Sequence, residues 1–210
     1  MISAPARTAL EVADWRRRVF ALYAEVRAAG DPRRAHDRWR AERDDLFARH
    51  PASPLLPEDR DGFAGLPVAP YDPAWRFEVE VQPAAEERWE AQTGTDGVVP
   101  FERLGVVELP GVGRLDVWRL ATYGGGVFLP LRDAGCGTPG GAYGGGRYVL
   151  DTVKGADLGG DAARLVVDLN FAYHPSCAYD PRWSCPLAPE GNRTTTPVAA
   201  GEQLPPGGWY

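Results

Sequence analysis

The sequence predicts an α+β protein in which an N-terminal pair of helices precedes an antiparallel β-barrel or sandwich. Two observations predict this class. Apolar residues recur at three- and four-residue steps up to about residue 50, and from Trp75 onward they alternate with polar residues. Many short strands with glycine and proline turns, and no regular alternation of strand and helix, favour antiparallel sheets. We divide the chain into a helical segment (1–50), a packed proline-rich connection (51–74) and a β domain (75–210).

The first helix is predicted over residues 8–29. Thr8 and Glu11 have the spacing of a capping box, in which each side chain binds a backbone N–H of the first turn. Five apolar residues then share one stripe of the helix: Val12, Trp15, Val19, Leu22 and Val26. Gly30 ends this helix.

The second helix is predicted to begin at Asp31-Pro32, because proline is favoured in the first turn, and to run to about His50. Its apolar face is narrow and its other residues are mostly charged. We therefore expect a surface helix that packs by one edge, with His36 and His50 exposed to solvent.

In the β domain, alternation of apolar and polar residues predicts a series of short strands. They cover 75–81, 87–93, 101–109, 114–122, 127–131, 147–151 and 164–171. A turn at 94–97 separates the second strand from the third, and a turn at 110–113 joins the third and fourth as a hairpin. The glycine-rich segment 124–146 is interpreted as a flexible double turn between strands or a mobile flap.

The composition argues against several classes of partner. The net charge of −6 and the pI near 5.1 argue against a nucleic-acid or anionic-membrane binder, which needs a basic face. The sequence shows no apolar run of membrane-spanning length and no secretory signal pattern. We expect a cytoplasmic protein whose three cysteines are thiols. No cofactor and no oligomeric state are indicated.

The segment 168–192 concentrates the side chains that carry chemistry, and its four prolines exclude a helix. With Cys136, the residues His174, Cys177 and Cys185 supply three thiols and an imidazole, a set suited to tetrahedral zinc. The local spacing H-x2-C-x7-C is not that of a zinc knuckle, so metal binding is not favoured. Alternatives for the cysteines are buried thiols, a Cys177–Cys185 disulfide, or a nucleophilic Cys177 with His174 as its base.

Two stretches resemble a known family: YGGGRYVLD at 143–151 and VVDLNFAYHPSCAYDPRWSCPLAPEGNR at 166–193. They are similar to the conserved segments of the bacterial and archaeal family called domain of unknown function 1684. The resemblance implies no activity. It does imply a shared polar and thiol set: Arg147, Tyr148, Asp168, Asn170, Tyr173, Cys177, Cys185, Asn192, Arg193 and Glu202. Members of that family tend to have Asn at the position of His174 and lack an obligatory cysteine at that of Cys136, which argues against zinc and against a Cys–His pair.

The leading functional hypothesis is binding of a small polar or anionic molecule at the mouth of the barrel. The shared set and Arg182 are the candidate binding residues, and the segment 124–146 would form a lid. We expect Arg147, Asn170 and Tyr173 to frame one polar centre with Arg182 beside it. One alternative is an enzyme, either a cysteine-dependent hydrolase or transferase, or one that uses Asp168 for acid–base chemistry. Another is a structural or interaction module in which the motif is a hydrogen-bonded brace.

Overall fold

The computed structural model describes residues 2–94, 97–206 and 208–209. Its helices are α1 (Ala4–Ala28), α2 (Pro32–Arg49) and the single-turn α3 (Pro57–Arg60). Its strands are β1 (Arg76–Glu80), β2 (Arg88–Gln92), β3 (Val98–Leu109), β4 (Gly113–Leu120), β5 (Val127–Leu131), β6 (Arg147–Asp151) and β7 (Arg164–Asp168). Helices followed by antiparallel sheets confirm the predicted α+β class. Residues 95 and 96 of the predicted turn 94–97 lie outside the described residues.

Helix α1 begins one turn earlier than the capping box predicts. The Oγ of Ser3 accepts the backbone N–H of Ala6 at 3.4 Å, which makes Ser3 the N-cap. Thr8 lies inside the helix, where its hydroxyl donates to the carbonyl of Ala4 at 3.2 Å. The prediction was wrong here because Ser3 precedes Pro5, and proline is well suited to the first helical turn.

Helix α2 is more deeply buried than its charged sequence predicts. Asp31 caps it as expected, accepting the backbone N–H groups of Arg33 and Arg34. Both histidines, however, are buried: His36 is 0% exposed and His50 is 5% exposed. The expectation of solvated histidines was wrong, because α2 contacts the C-terminal part of the chain as well as α1. His36 Nε2, for example, lies 3.0 Å from the carbonyl oxygen of Asn170.

The strands form two antiparallel sheets. Strands β2-β3-β4-β5-β6 make one sheet in that order, and β1 pairs with β7 in the other. Two isolated bridges connect the sheets, Gln82 with Val106 and Tyr148 with Tyr173. Gly105 permits the first bridge, since a Cβ at that position would lie only 2.4 Å from the carbonyl oxygen of Gln82. In the described residues the ladders remain separate, so a closed barrel is not confirmed.

Strand β7 ends three residues before the alternating pattern predicts. At Asp168 the side chain accepts the backbone N–H of Asn170 at 3.0 Å, and the chain turns into a short 3₁₀ helix, Leu169–Phe171. A side chain that captures a nearby backbone donor competes with the strand ladder. This turn directs the C-terminal motif back along β6, where Tyr173 forms a bridge with Tyr148 near the start of the strand.

The main core lies between the helices and the sheets. Its largest fully buried members include Trp39, Leu115, Leu129, Leu150 and Leu169. A second cluster joins α2 and the proline-rich connection to the C-terminal motif through Phe47, Leu55, Leu66 and Tyr179. A third lies on the five-stranded sheet and includes Phe101, Trp118, Phe128 and Tyr148. Within the described part of the chain, no helix combines the length and apolarity needed to cross a bilayer.

Candidate functional site

A cavity of about 500 Å³ lies between α1 and the five-stranded sheet, and we call it the site cavity. Most of its wall is apolar. The apolar lining includes Val12, Trp15, Val99, Phe101, Leu120, Phe128 and Trp183. Polar side chains collect at one end, where β6 finishes: Tyr148, Asp151, Lys154 and Cys185. Its volume falls in the range of roughly 300–1,000 Å³ that is typical of small-molecule sites.

A smaller branch of about 120 Å³ leads from this polar end into the interior. Asp151, Lys154 and Cys185 line both spaces, and the branch continues to Arg43 and Tyr173. The polar end therefore connects the site cavity with the buried charges of the C-terminal motif.

Asp151 is a buried carboxylate with few protein partners at this end. It is 4% exposed, and its closest charged partner is Lys154, whose Nζ lies 3.5 Å from Oδ2. Within the described residues its carboxylate accepts no shorter hydrogen bond. Lys154 is half exposed and is the chain's single lysine. A carboxylate buried with so little compensation is costly, so Asp151 is available to a ligand donor.

Tyr148 lies at the polar end of the site cavity, but its hydroxyl already has a hydrogen-bond partner in the protein. Its hydroxyl donates to the carbonyl of Pro186 at 2.7 Å, and its ring meets that of Phe128 edge-on at 4.8 Å. Burial raises the pKa of Tyr148 well above its usual value. The hydroxyl is therefore a neutral group that holds the C-terminal motif against β6.

Cys177 and Cys185 form a pair of thiols at the same end. Cys177 is buried, Cys185 is half-buried, and their side chains are hydrogen-bonded. The hydrogen bond from Cys177 lowers the pKa of Cys185 to about 7; burial opposes this, while a backbone N–H of Cys177 and the charge of Lys154 add to it. The same hydrogen bond, with burial, raises the pKa of Cys177. The sequence-based hypothesis proposes Cys177 as the nucleophile, whereas the hydrogen bond between the two thiols lowers the pKa of Cys185 and raises that of Cys177.

Arg147 lies in the interior, where both terminal nitrogens of its guanidinium have protein partners and Nε has none among the described residues. Its guanidinium donates to Asp133 Oδ2 at 2.6 Å and to the carbonyls of Val198 and Glu202 at 3.2 Å, and it also contacts the carbonyl of Ala200. Burial raises the pKa of Asp133, but the charge and hydrogen bonds it receives, led by Arg147, outweigh burial and lower it. Arg147 therefore fastens the C-terminal segment to β6.

Glu202 is the centre of a second interior network and is 0% exposed. Arg43 Nη2 donates to Glu202 Oε2 at 2.9 Å, and the hydroxyl of Tyr179 donates to Oε1. His174 accepts the backbone N–H of Tyr143 on Nε2, so its proton lies on Nδ1, 3.4 Å from Glu202 Oε1. Burial raises the pKa of Glu202, but His174, Arg43 and Tyr179 lower it to about 2.

Two buried asparagines form further hydrogen-bond networks in the interior. Asn170 Nδ2 donates to Asp168 Oδ1 at 2.7 Å and to the carbonyl of Asp72 at 2.9 Å. Asn192 accepts from Trp118 Nε1 at 2.8 Å, and its Nδ2 donates to two carbonyls on neighbouring strands. Both side chains tie loops to the sheets.

Comparison with known proteins identifies the family. The model of the family described as protein of unknown function DUF1684 matches residues 61–203. The chain belongs to the DUF1684 family. It is also similar to the solution NMR structure of an uncharacterised protein from Haloarcula marismortui, with 34% identity and a TM-score of 0.55. That similarity covers 79% of this chain and 90% of the archaeal one. No curated protein matches.

The DUF1684 motif is divided among several places. Tyr148 and Cys185 line the site cavity, Tyr173 lines its branch, and Cys177 lies behind Cys185. The interior networks hold Arg147, Asp168, Asn170, Asn192 and Glu202. Arg182 and Arg193 lie at the surface in ion pairs with Asp180 and Glu190. Arg147 and Asn170, which we expect to frame one centre with Tyr173, have separate hydrogen-bond partners: Arg147 binds the C-terminal segment, and Asn170 binds the loop at Asp72.

The four residues of the zinc alternative do not assemble into a metal site. Cys136 donates to Asp133 at 3.3 Å, and His174 is engaged by Glu202 and Tyr143. Across the described residues, no group of three or more His, Cys, Asp or Glu side chains is arranged to hold a metal ion.

The glycine-rich segment does not cover the site cavity as the lid hypothesis requires. Of its glycines, Gly126 lines the cavity, next to Val127. The part from 134 to 146 packs instead against the C-terminal segment, where the carbonyl of Gly141 accepts the N–H of Leu204 at 2.9 Å. The backbone of Tyr143 is held by His174.

The candidate binding residues did not include Asp151, Lys154 or Arg43; the sequence offers Asp151 only as a carboxylate partner of Asp168 that Lys154 could join. The sequence does distinguish Lys154 from other basic residues, since it is the single lysine in a chain whose other Lys and Arg positions are all arginine. Asp151 ends a buried strand that the sequence predicts, a position where a carboxylate has few backbone partners. Nothing in the sequence distinguishes Arg43, because it lies among other charged residues of α2.

Proposed function

We propose that this DUF1684 protein binds a small molecule in the site cavity, with an apolar body between α1 and the sheet and a polar or anionic end at Asp151 and Lys154. The bridges at Gln82–Val106 and Tyr148–Tyr173 support the idea that the two sheets form an incompletely closed barrel with this cavity at its mouth. The ligand contacts differ from those that the sequence favours, because Arg147 and Asn170 are occupied elsewhere.

The observation that carries the proposal is the buried, weakly partnered carboxylate of Asp151 at the end of an apolar cavity. Polar groups buried in proteins are normally hydrogen-bonded, and exceptions are concentrated at functional sites. A ligand hydroxyl or amine would supply the missing donor to Asp151. Lys154 and Arg16, which both line the cavity and are exposed, would attract an anionic group.

The aromatic anion 8-anilinonaphthalene-1-sulfonate tests the cavity, since it combines an apolar body with one negative group. We expect saturable 1:1 binding with increased fluorescence. Val99→Trp fills the cavity wall on β3 and should abolish the binding. The matched control is Leu104→Trp, on the same strand but exposed and away from the cavity, which should leave the binding unchanged.

Circular dichroism establishes that both variants are folded. Equal fluorescence in Val99→Trp and in the wild type would show that the probe binds elsewhere. Absence of saturable binding to the wild type would equally contradict an accessible cavity.

Two further features support the broader setting of this proposal. The cysteines are thiols, as suits a cytoplasmic location. The net charge of −6 favours a small-molecule partner over a nucleic acid. The interior part of the motif, centred on Glu202 and Arg147, acts as a brace that holds the cavity wall in place.

A further inference from the structure

We propose that Cys185 and Cys177 form a thiol–disulfide exchange site that opens into the site cavity and accepts low-molecular-weight disulfides. Cys185 is the attacking thiol and Cys177 is the resolving thiol. This proposal does not depend on the identity of the cavity ligand, because it requires access to Cys185 and no other ligand contact.

The geometry assigns different roles to the two sulfurs. Cys185 is half-buried and lines both the site cavity and its branch, so a small disulfide reaches it from solvent. Cys177 is 6% exposed and is hydrogen-bonded to Cys185 from the interior side. A reactive thiol with a second thiol held against it is the arrangement that disulfide exchange requires.

The surroundings of Cys185 favour its thiolate at neutral pH. The hydrogen bond from Cys177, the backbone N–H groups of Ser176 and Cys177, and the charge of Lys154 lower the pKa of Cys185 to about 7 against the effect of burial. A thiol whose pKa is near the ambient pH is the most effective attacker, since it combines a large thiolate fraction with good nucleophilicity.

The segment between the two cysteines is anchored, which keeps the pair in place. The Oδ atoms of Asp180 accept the backbone and guanidinium N–H groups of Arg182 at 2.7–3.1 Å. Next to Cys185, the carbonyl of Ser184 accepts the N–H of Gly94 at 3.2 Å, beside the end of β2. The Asp180–Arg182 contacts stiffen the segment internally, and the Ser184–Gly94 hydrogen bond anchors it beside β2, so less entropy is lost when the two sulfurs join.

The exchange balances without a bound cofactor. The thiolate of Cys185 attacks one sulfur of a small disulfide RSSR, forms the mixed disulfide Cys185–S–SR and expels RS⁻. Cys177 gives up its proton and attacks the Cys185 sulfur, forming the Cys177–Cys185 disulfide and expelling the second RS⁻. Both thiolates take up protons as RSH. The two cysteines are oxidised by two electrons and the small disulfide is reduced by two.

Cys136 is an internal control because it is a thiol in a different setting. It is buried and donates to Asp133, and burial, aided by the charge of Asp133, raises its pKa to about 11. It should therefore remain reduced under conditions in which Cys185 reacts.

The test uses the reduced full chain, bis(2-hydroxyethyl) disulfide as the probe, and peptide mapping by mass spectrometry at pH 7. In the wild type we expect an intrachain Cys177–Cys185 disulfide and reduced Cys136. In Cys177→Ala the reaction should stop at a mixed disulfide on Cys185. In Cys185→Ala, Cys177 should remain reduced over the same time. Cys136→Ala should behave as the wild type.

A second measurement follows the rate of iodoacetamide alkylation of Cys185 against pH. The midpoint should lie near 7 in the wild type and rise toward the ordinary thiol value of about 8.5 in Cys177→Ala, which removes the hydrogen-bond donor. The wild-type results decide the question even when a variant does not fold. A wild type that forms no intrachain disulfide, reacts first at Cys136, or gives an ordinary midpoint for Cys185 would overturn the proposal.

Discussion

The two ends of strand β6 carry opposite charges in opposite situations. Arg147, at its start, donates to one carboxylate and contacts three carbonyls, all of them protein groups. Asp151, at its end, has one charged neighbour at 3.5 Å and faces a cavity. A buried charge with several close partners contributes to the fold, whereas a buried charge with few partners lowers stability and calls for a functional explanation. Two polar positions on one predicted strand thus have different roles.

The largest expected effect is at the start of β6, where Arg147 lies. Arg147→Met should lower the free energy of unfolding by about 3–5 kcal/mol, because it leaves the carboxylate of Asp133 buried without its charged partner. Urea denaturation followed by tryptophan fluorescence measures the change. The matched control is Arg114→Met on β4, which removes an exposed arginine and should change stability by less than about 0.5 kcal/mol. Similar losses in the two variants would remove the distinction between the ends of β6.

The next effect concerns Glu202 and acid. Its pKa is about 2 in the folded protein against 4.5 for an ordinary glutamate, so the unfolded chain binds more protons between these values. The stability that Glu202 contributes is therefore complete above about pH 4.5 and is lost as the pH falls toward 2. The shift corresponds to a loss on the order of 3 kcal/mol.

Denaturation at several pH values between 6 and 2.5 tests this expectation. Glu202→Gln should be less stable than the wild type at pH 6 but should lose less stability on acidification, so the two curves converge. Asp45→Asn, which removes an exposed carboxylate from α2, serves as the control and should run parallel to the wild type. Parallel curves for Glu202→Gln would mean that Glu202 has an ordinary pKa in the folded state.

The same contrast shows what the sequence alone predicts. Local patterns place β5 and β6 correctly at Val127–Leu131 and Arg147–Asp151, because alternation and flanking turns are local signals. They miss the burial of Arg43, whose partner Glu202 lies 159 residues away and leaves no trace in the periodicity of α2. The end of β7 is missed for a related reason, since Asp168 turns the chain through its own side chain.

The candidate site is predicted only in part. The set of candidate binding residues includes Tyr148 and Cys185, and both line the site cavity. The apolar wall contributed by Trp15 of α1 depends on how that helix packs over the sheet, which no local pattern specifies. The types of residue and their spacing identify the polar groups. Which of these groups face a cavity depends on tertiary packing.

A smaller effect is expected at the weakly partnered end. Asp151→Asn should raise the free energy of unfolding by about 0.5–2 kcal/mol, because it removes a buried charge that the protein barely compensates. The same variant should weaken binding of a ligand that donates to the carboxylate. Urea denaturation checks the first expectation. A loss of stability comparable to that of Arg147→Met would show that Asp151 is structural, and the argument for a ligand donor would fail.

The smallest effect is electrostatic and concerns Lys154 and Cys185. Lys154 is half exposed, so its charge acts on the thiol largely through solvent. In Lys154→Gln the midpoint of Cys185 alkylation should rise by only about 0.2–0.5 pH units at low salt. The difference from the wild type should vanish in about 0.5 M NaCl, where the Debye length is only a few ångströms. Arg114→Gln, which removes a surface charge that does not line the cavity, should give no shift at either salt concentration. A shift that survives high salt would instead indicate direct contact between Lys154 and the thiolate. A shift larger than that of Cys177→Ala would make Lys154, rather than the thiol pair, the main cause of the low pKa of Cys185.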